Sequence, residues 1–313
     1  MRTSPPVIIV TNCTNRKRAA GRVLKLSRRL VGEDLTATVD SWKQKLATSP
    51  GRISVDKLYA GRSVVEARRA AAAAPADLYF VSAGLGLVPS TAESPAYDLT
   101  ASESEGGLPA VLGRFSVSAA DWWMAVTRGH GVLSLLRSHS DAILLLALPA
   151  DYVTLLAHDL ASASGADTKR LRIFTSRPGR AALPGALIDA AIPYDGRLES
   201  IPKYDGTLVD FPQRALRHFV VELHGHRLSL EEGCSRVQTA LAGRSVRQTP
   251  LRARVSDDQV RALLQENWVT CKGQSGRLLR YLRDESRIAC EQARFGAIWR
   301  EVRDERAAAK RAN

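Results

Sequence analysis

Tyr97 and Asp98 are the residues whose types and spacing best suit chemistry on a sugar. They follow Pro95 in the stretch SAGLGLVPSTAESPAYDLT. An aromatic ring can stack on a base, and a carboxylate beside it can orient water or stabilise positive charge on a sugar. That pair suits cleavage of an N-glycosidic bond, whose transition state resembles an oxocarbenium ion. The plainer alternative is a Tyr-Asp turn in which Asp98 caps a helix. A second group is the stretch TNCTNRKR from Thr11 to Arg18, with two amides, a thiol, two hydroxyls and three cations. Asn12 can both donate and accept, which suits the edge of a base, and Arg16, Lys17 and Arg18 suit phosphate. A surface loop with a solvated charge run is the alternative there. Ser82, Gly84, Cys13 and Tyr59 complete the expected substrate-binding set, with the glycine letting backbone approach a ligand and Tyr59 a second stacking ring. Asp210 is a second carboxylate to watch, although an N-cap for a helix starting at Phe211 or Pro212 is the favoured role.

Other chemistries find no support. No GxGxxG or P-loop is present, so no phosphate cradle for a nucleotide cofactor is expected. No Ser-His-Asp or nucleophile-elbow motif is evident. The six histidines show no metal spacing beyond His224-Gly225-His226, and Cys13, Cys234, Cys271 and Cys290 form no CxxC pair. Free thiols, no metal and no cofactor are therefore expected.

The elements that must position these residues are legible as periodic runs. Val7–Val10, Leu78–Ser82, Ile143–Leu148 and Leu171–Thr175 are short apolar runs ending at polar turns, as strands buried on both faces of a parallel sheet should be. Helical patterns separate them at Ser63–Ala74, Ser118–Thr127 and Asp151–Ser162, the last with Asp151 as a good N-cap. An α/β fold with a four-stranded parallel sheet flanked by helices follows, over roughly residues 1–200. In such a sheet ligands bind beyond the carboxyl ends of the strands, which selects Asn12–Lys17, Ser82–Leu87, Pro149–Asp151 and Ser176–Gly179. A loop is expected over Pro193–Pro212, then helices at Arg214–His224 and Leu230–Leu241, and an Arg-rich linker at Gly243–Val255. Beyond it, Ser256-Asp257-Asp258 caps a helix at Gln259–Asn267, a turn spans Val269–Gly273, and helices follow at Ser275–Asp284 and Ile288–Arg306. Two domains are expected, 1–242 and 243–313. The second resembles a helix-turn-helix reader, with Lys272, Arg277 and Arg280 toward DNA and Tyr281, Phe295 and Trp299 among the arginines. An ordinary three-helix bundle with a basic face is the alternative.

Composition sets the context. The chain has 313 residues, 45 Lys+Arg against 32 Asp+Glu, and a formal net charge of +13. Residues 234–313 alone hold 17 basic and 9 acidic side chains. Charge of that size favours a polyanionic partner, and the dominance of Arg suits bidentate contacts to phosphate or guanine. The N-terminal apolar run is too short and too polar in its flanks for a signal peptide, and Ala142–Pro149 is too short to span a bilayer. A soluble, cytoplasmic protein off the membrane is expected, with DNA as partner and no obligate protein partner.

Three motifs carry a resemblance: the strand followed by Thr11–Lys17, the segment Lys57-Leu58-Tyr59-Ala60-Gly61-Arg62, and VSAGLGLV with SPAYDLT. They resemble a broad superfamily that includes peroxide-stress proteins of the YaaA type and the base-modification domains of archaeal tRNA-guanine transglycosylases, with folds similar to uracil-DNA glycosylase. More specifically, the chain looks like the anti-phage DNA glycosylases that excise glucosylated hydroxymethylcytosine from phage DNA. The likeness covers roughly residues 1–100, with one extra residue, Ala96, between Pro95 and Tyr97. It implies a glycosylase leaving an abasic site, with Asn12 against the base or attacking water, Tyr97-Asp98 as the Tyr-Asp of the family block, Ser82 and Gly84 holding a turn, and Lys17 as the family lysine. Two other functions stay open: a non-catalytic DNA-binding stress or regulatory protein, and a tRNA base-modifying relative of the transglycosylases.

Overall fold

A computed structural model describes residues 5–14, 17–18, 23–26, 32–102, 107–113, 115–246 and 252–312. The chain divides into two compact units, Met1–Arg247 and Gln248–Asn313.

Along the first unit the elements are β1 (Val7–Asn12), β2 (Leu24–Lys25), α1 (Leu35–Thr48), β3 (Ile53–Ser54), α2 (Val55–Leu58) and α3 (Arg62–Ala73). Then come β4 (Asp77–Ser82), β5 (Gly86–Pro89), β6 (Glu93–Ser94), β7 (Tyr97–Asp98), α4 (Leu108–Leu112), α5 (Ala119–Thr127) and α6 (Val132–Ser138). The unit continues through β8 (Ile143–Ala147), α7 (Ala150–Leu155), α8 (Ala157–Ala161), α9 (Gly165–Arg170), β9 (Leu171–Phe174), α10 (Arg177–Ala181), α11 (Phe211–Arg217) and α12 (Leu230–Leu241).

The central sheet has five strands in the order β5-β4-β1-β8-β9. All four expected strands are present and mutually parallel, with Thr11 of β1 opposite Phe80 of β4 and Ala147 of β8. They are buried because their Val, Ile and Leu runs are covered on both faces. The fifth strand, β5, is antiparallel to β4, with Ser82 opposite Gly86. It was expected as loop; an edge strand that begins at glycine and ends at Pro89 carries no strand pattern. Gly86, at φ +77°, supplies the turn into it. From β1 the chain passes to β4 on one side and later to β8 on the other, so the strand order reverses between β1 and β8.

Several helix limits differ from the sequence pattern. The expected helix Asp151–Ser162 is broken at Leu156 into α7 and α8, and its N-cap is Pro149 with Asp151 in the first turn. The expected Arg214–His224 begins earlier, at Phe211, and continues past Arg217 as a π-helical turn, His218–Glu222. The loop 193–212 holds a 3-10 turn at Gly196–Ser200, capped by Asp195.

The second unit holds α13 (Asp257–Glu266), α14 (Ser275–Arg280), which runs on as a π-helical turn at Tyr281–Glu285, and α15 (Gln292–Ala312). Ser256 and Gln259 form a reciprocal cap on α13. The last helix starts four residues later than expected, because Ala253 pairs as a β-bridge with Ile288 and holds that stretch extended. Val260, Leu264, Leu278, Leu282, Phe295 and Val302 form its core.

Candidate functional site

At the carboxyl end of β1 the side chains turn inward. Asn12 is 6% exposed. Its Nδ2 donates to the Cys13 carbonyl (2.7 Å), and its Oδ1 accepts from Gln213 Nε2 (2.8 Å). Gln213 Nε2 also meets Thr11 Oγ1 and the Ala147 carbonyl, each at 3.0 Å. Gln213, from α11, thus ties β1 to β8 where the strand order reverses. Its Oε1 is buried and has no hydrogen-bond partner among the described residues. Asn12 was expected to face a base or the attacking water. In this arrangement both ends of its amide are engaged within the protein, so it acts as a brace.

The end of β4 is built around Tyr97. The Tyr97 hydroxyl meets those of Tyr59 and Ser82. Ser82 Oγ in turn accepts from the amides of Gly84 (3.2 Å) and Leu85 (3.0 Å), which leaves its own proton for Tyr97. Tyr59 and Tyr97 are each 1% exposed and meet edge to face, 6.5 Å between centroids. Burial raises both phenols above their ordinary value. A base cannot stack on either ring as they stand, which corrects that expected role. Gly84 is needed for the same packing: a Cβ there would lie 2.6 Å from the Tyr97 ring. What comes close to its backbone is Tyr97, with Trp42 donating to its carbonyl at 2.7 Å.

Lys17 lies over this cluster, Nζ 4.5 Å from the Tyr97 centroid. The amine is buried without a hydrogen-bond partner among the described residues. Desolvation lowers its pKa, opposed by the nearby Cys13 and Asp98. A phosphate-facing role for Lys17 does not fit that position. Cys13 is buried, its Sγ 3.0 Å from the Tyr152 hydroxyl. Asp98 does not cap a helix; it lies in β7, paired with β2, its side chain 42% exposed and 3.6 Å from Lys25 Nζ. Arg16 lies outside the described residues. Arg18 is exposed, its amide donating to the Leu58 carbonyl at 2.8 Å.

Asp210 stands at the N-cap position of α11 but makes no capping bond. Its Oδ1 instead accepts from the Thr207 amide (2.8 Å) and from Arg214 Nε (3.0 Å). It belongs to a buried ion-pair network with Arg62, Arg214 and Glu199, beside the buried Glu66 and its arginines.

Two cavities flank this core. One, of about 970 Å³, lies along α3 beside Arg62, Arg69, Lys203 and Arg217. The other, of about 570 Å³, opens at the end of β9 beside Ser176, Arg177, Arg180, Tyr194 and Phe211. The fourth of the segments expected at strand ends, Ser176–Gly179, has open space before it, with Ser176, Arg177 and Pro178 in the lining. The Tyr194 hydroxyl and His218 Nδ1 share a hydrogen bond of 2.7 Å behind that cavity, and burial pulls His218 down to about 4.

In the second unit Lys272, Arg277 and Arg280 are exposed. Of the aromatic residues expected among them, Phe295 belongs to the core, and Tyr281 and Trp299 are partly buried against it. Phe295 is 3% exposed, and Trp299 stacks on Trp268 at 6.2 Å and donates to the Gly273 carbonyl. Gln213, Tyr152 and the buried Arg214 were missed by the sequence. Their one signal is polar residues inside otherwise apolar helical runs.

Among the described residues, no group of three or more His, Cys, Asp or Glu side chains is placed to hold a metal, and no helix is long and apolar enough to cross a membrane. No protein-family model, curated protein or solved structure matches this chain.

Proposed function

We propose that the chain is a DNA glycosylase that hydrolyses the N-glycosidic bond of a modified base, with glucosylated hydroxymethylcytosine of phage DNA as the substrate that the family resemblance implies. The observation that carries this is the half-exposed Asp98 carboxylate in the β2-β7 pair, 3.6 Å from Lys25 and close enough to act on the buried Lys17 amine. In the reaction the bond from C1′ to the base breaks, the electron pair leaves with the base, and water adds at C1′. A carboxylate near C1′ stabilises the positive charge that builds there and orients the water. Asn12 contributes by holding the end of β1 through Gln213. Arg18, Lys272, Arg277 and Arg280 are exposed cations suited to the phosphate backbone, and the nucleotide is flipped from the stack to reach the strand ends. A uracil-DNA-glycosylase-like fold, a helix-turn-helix role for the second unit, a cytoplasmic setting and chemistry without cofactor belong to the same proposal.

Incubation with glucosylated phage DNA should release the modified base, detected by mass spectrometry, and leave alkali-labile sites. Asp98→Ala should lower the rate by about a hundredfold. Release undiminished in that variant overturns the role of Asp98. One observation favours a second function, a DNA-binding protein without catalysis: the Tyr59–Tyr97 cluster is closed, each ring 1% exposed. A gel shift that weakens steeply with salt, with no base released from any DNA, would select it.

A further inference from the structure

The cavity at the end of β9 has no part in the reaction proposed above, and its lining is that of a ligand site. Its volume of about 570 Å³ is within the range of small-molecule pockets. The floor is apolar, from Ile192, Pro193, Tyr194 and Phe211. Both lining carboxylates are already neutralised. Asp195 is paired with Arg197 at 2.8 Å, and Glu199 with the buried Arg214 at 3.0 Å. Arg177 and Arg180, exposed on successive turns of α10, have no side-chain hydrogen-bond or ion-pair partner among the described residues. Thr175 closes the inner end of the cavity, its hydroxyl buried against Gly179. Ser176 and Gln238 add further polar groups to the wall.

We propose that this cavity binds a nucleotide carrying a terminal phosphate. Two uncompensated guanidiniums match a phosphomonoester, which carries a charge of about −1.5 to −2, better than a singly charged phosphodiester. The apolar floor takes the flat base, and Ser176 and Gln238 face its polar edge or the sugar. A bare phosphate would leave that floor wet, and a bare base would leave both cations unpaired. The ligand is either a free mononucleotide or the 5′-phosphorylated end of a strand. The site stands independently of the glycosylase proposal, since it shares none of the residues assigned to that reaction.

Calorimetric titration of the full chain with deoxyadenosine monophosphate should give saturable binding at one site. Inorganic phosphate and deoxyadenosine should each bind about tenfold or more weakly. Arg177→Ala/Arg180→Ala should lose about tenfold or more in affinity, and Asp98→Ala none. Displacement of the mononucleotide by a 5′-phosphorylated oligonucleotide, and not by its 5′-hydroxyl counterpart, identifies a strand end as the ligand. Failure of both to displace it identifies the free nucleotide. No saturable binding, binding unaffected by the double substitution, or phosphate binding as tightly as the nucleotide would each overturn the proposal. Loss of base release from DNA with nucleotide binding intact would count against the glycosylase alone.

Discussion

The carboxyl edge of the central sheet has two differently built ends. At β1 and β4 the polar side chains are turned inward and spent on one another: Asn12 on Gln213, Ser82 and Tyr59 on Tyr97, Cys13 on Tyr152. At β9 the floor is apolar, the lining carboxylates are paired, and two guanidiniums without a partner among the described residues stand beside about 570 Å³ of space. The two ends share one rule of topology, that ligands approach the carboxyl ends of parallel strands. The difference teaches that a strand end rich in functional groups need not be the end that is open. A polar cluster can be a satisfied, buried network that fixes the sheet.

Breaking the closed end should cost most. Tyr97→Ala would leave a cavity against Trp42 and Tyr59 and is expected to lower stability by about 3–5 kcal/mol in urea unfolding. Gly84→Ala should cost about 1–3 kcal/mol, because its new methyl overlaps the Tyr97 ring. A change of less than a few tenths in either variant would show that the end of β4 is looser than described.

The pH dependence separates the two ends next. His218, behind the open end, is lowered by burial from 6.5 to about 4. The folded state therefore binds fewer protons than the unfolded chain between those values. The stability it contributes is fully present above 6.5 and is lost as pH falls toward about 4, on the order of 3 kcal/mol at most. His218→Phe should flatten that acid limb; an unchanged limb would place the sensitivity elsewhere. Lys17, at the closed end, acts in the opposite range. Its lowered pKa means that the charged amine costs stability at neutral pH, a cost relieved as pH rises from the lowered value toward 10.5. Lys17→Met should be at least as stable as the parent at neutral pH and should lose that rise. Destabilisation by the substitution would mean that the amine has a partner.

The smallest effect on stability belongs to Arg177→Ala/Arg180→Ala. Both side chains are exposed and have no ion-pair or hydrogen-bond partner among the described residues, so unfolding should shift by no more than about 0.5 kcal/mol. A larger loss would make these arginines part of the fold rather than of a site.

Much of the frame was legible in the sequence. Four runs of β-branched and leucine residues between helical patterns led to four parallel strands, because strands covered on both faces must be apolar throughout. β5 was not legible, because glycine and Pro89 mask its pairing. Leu156, where α7 gives way to α8, lies in an unbroken helical pattern and gives no sign of the break. At the site, the sequence singled out Tyr97, Ser82, Gly84 and Lys17 for substrate contacts, but it could not show that they face one another. Gly84 and Tyr97 are brought together by a turn, an edge strand and a proline, and no periodicity reports such a contact. Gln213 reaches Asn12 across 201 residues of chain. The cavity at β9 is assembled from segments near residues 176, 194, 211 and 238, which share no local pattern.

The comparison between the ends is tested most directly by fluorotyrosine NMR of the whole chain, whose seven tyrosines include Tyr59 and Tyr97 at one end and Tyr194 at the other. Titration with deoxyadenosine monophosphate should shift the Tyr194 resonance in a saturable way and leave Tyr59 and Tyr97 unmoved. Saturable shifts of Tyr59 and Tyr97 with Tyr194 unmoved would contradict it, and would place the open end of the sheet at β1 and β4.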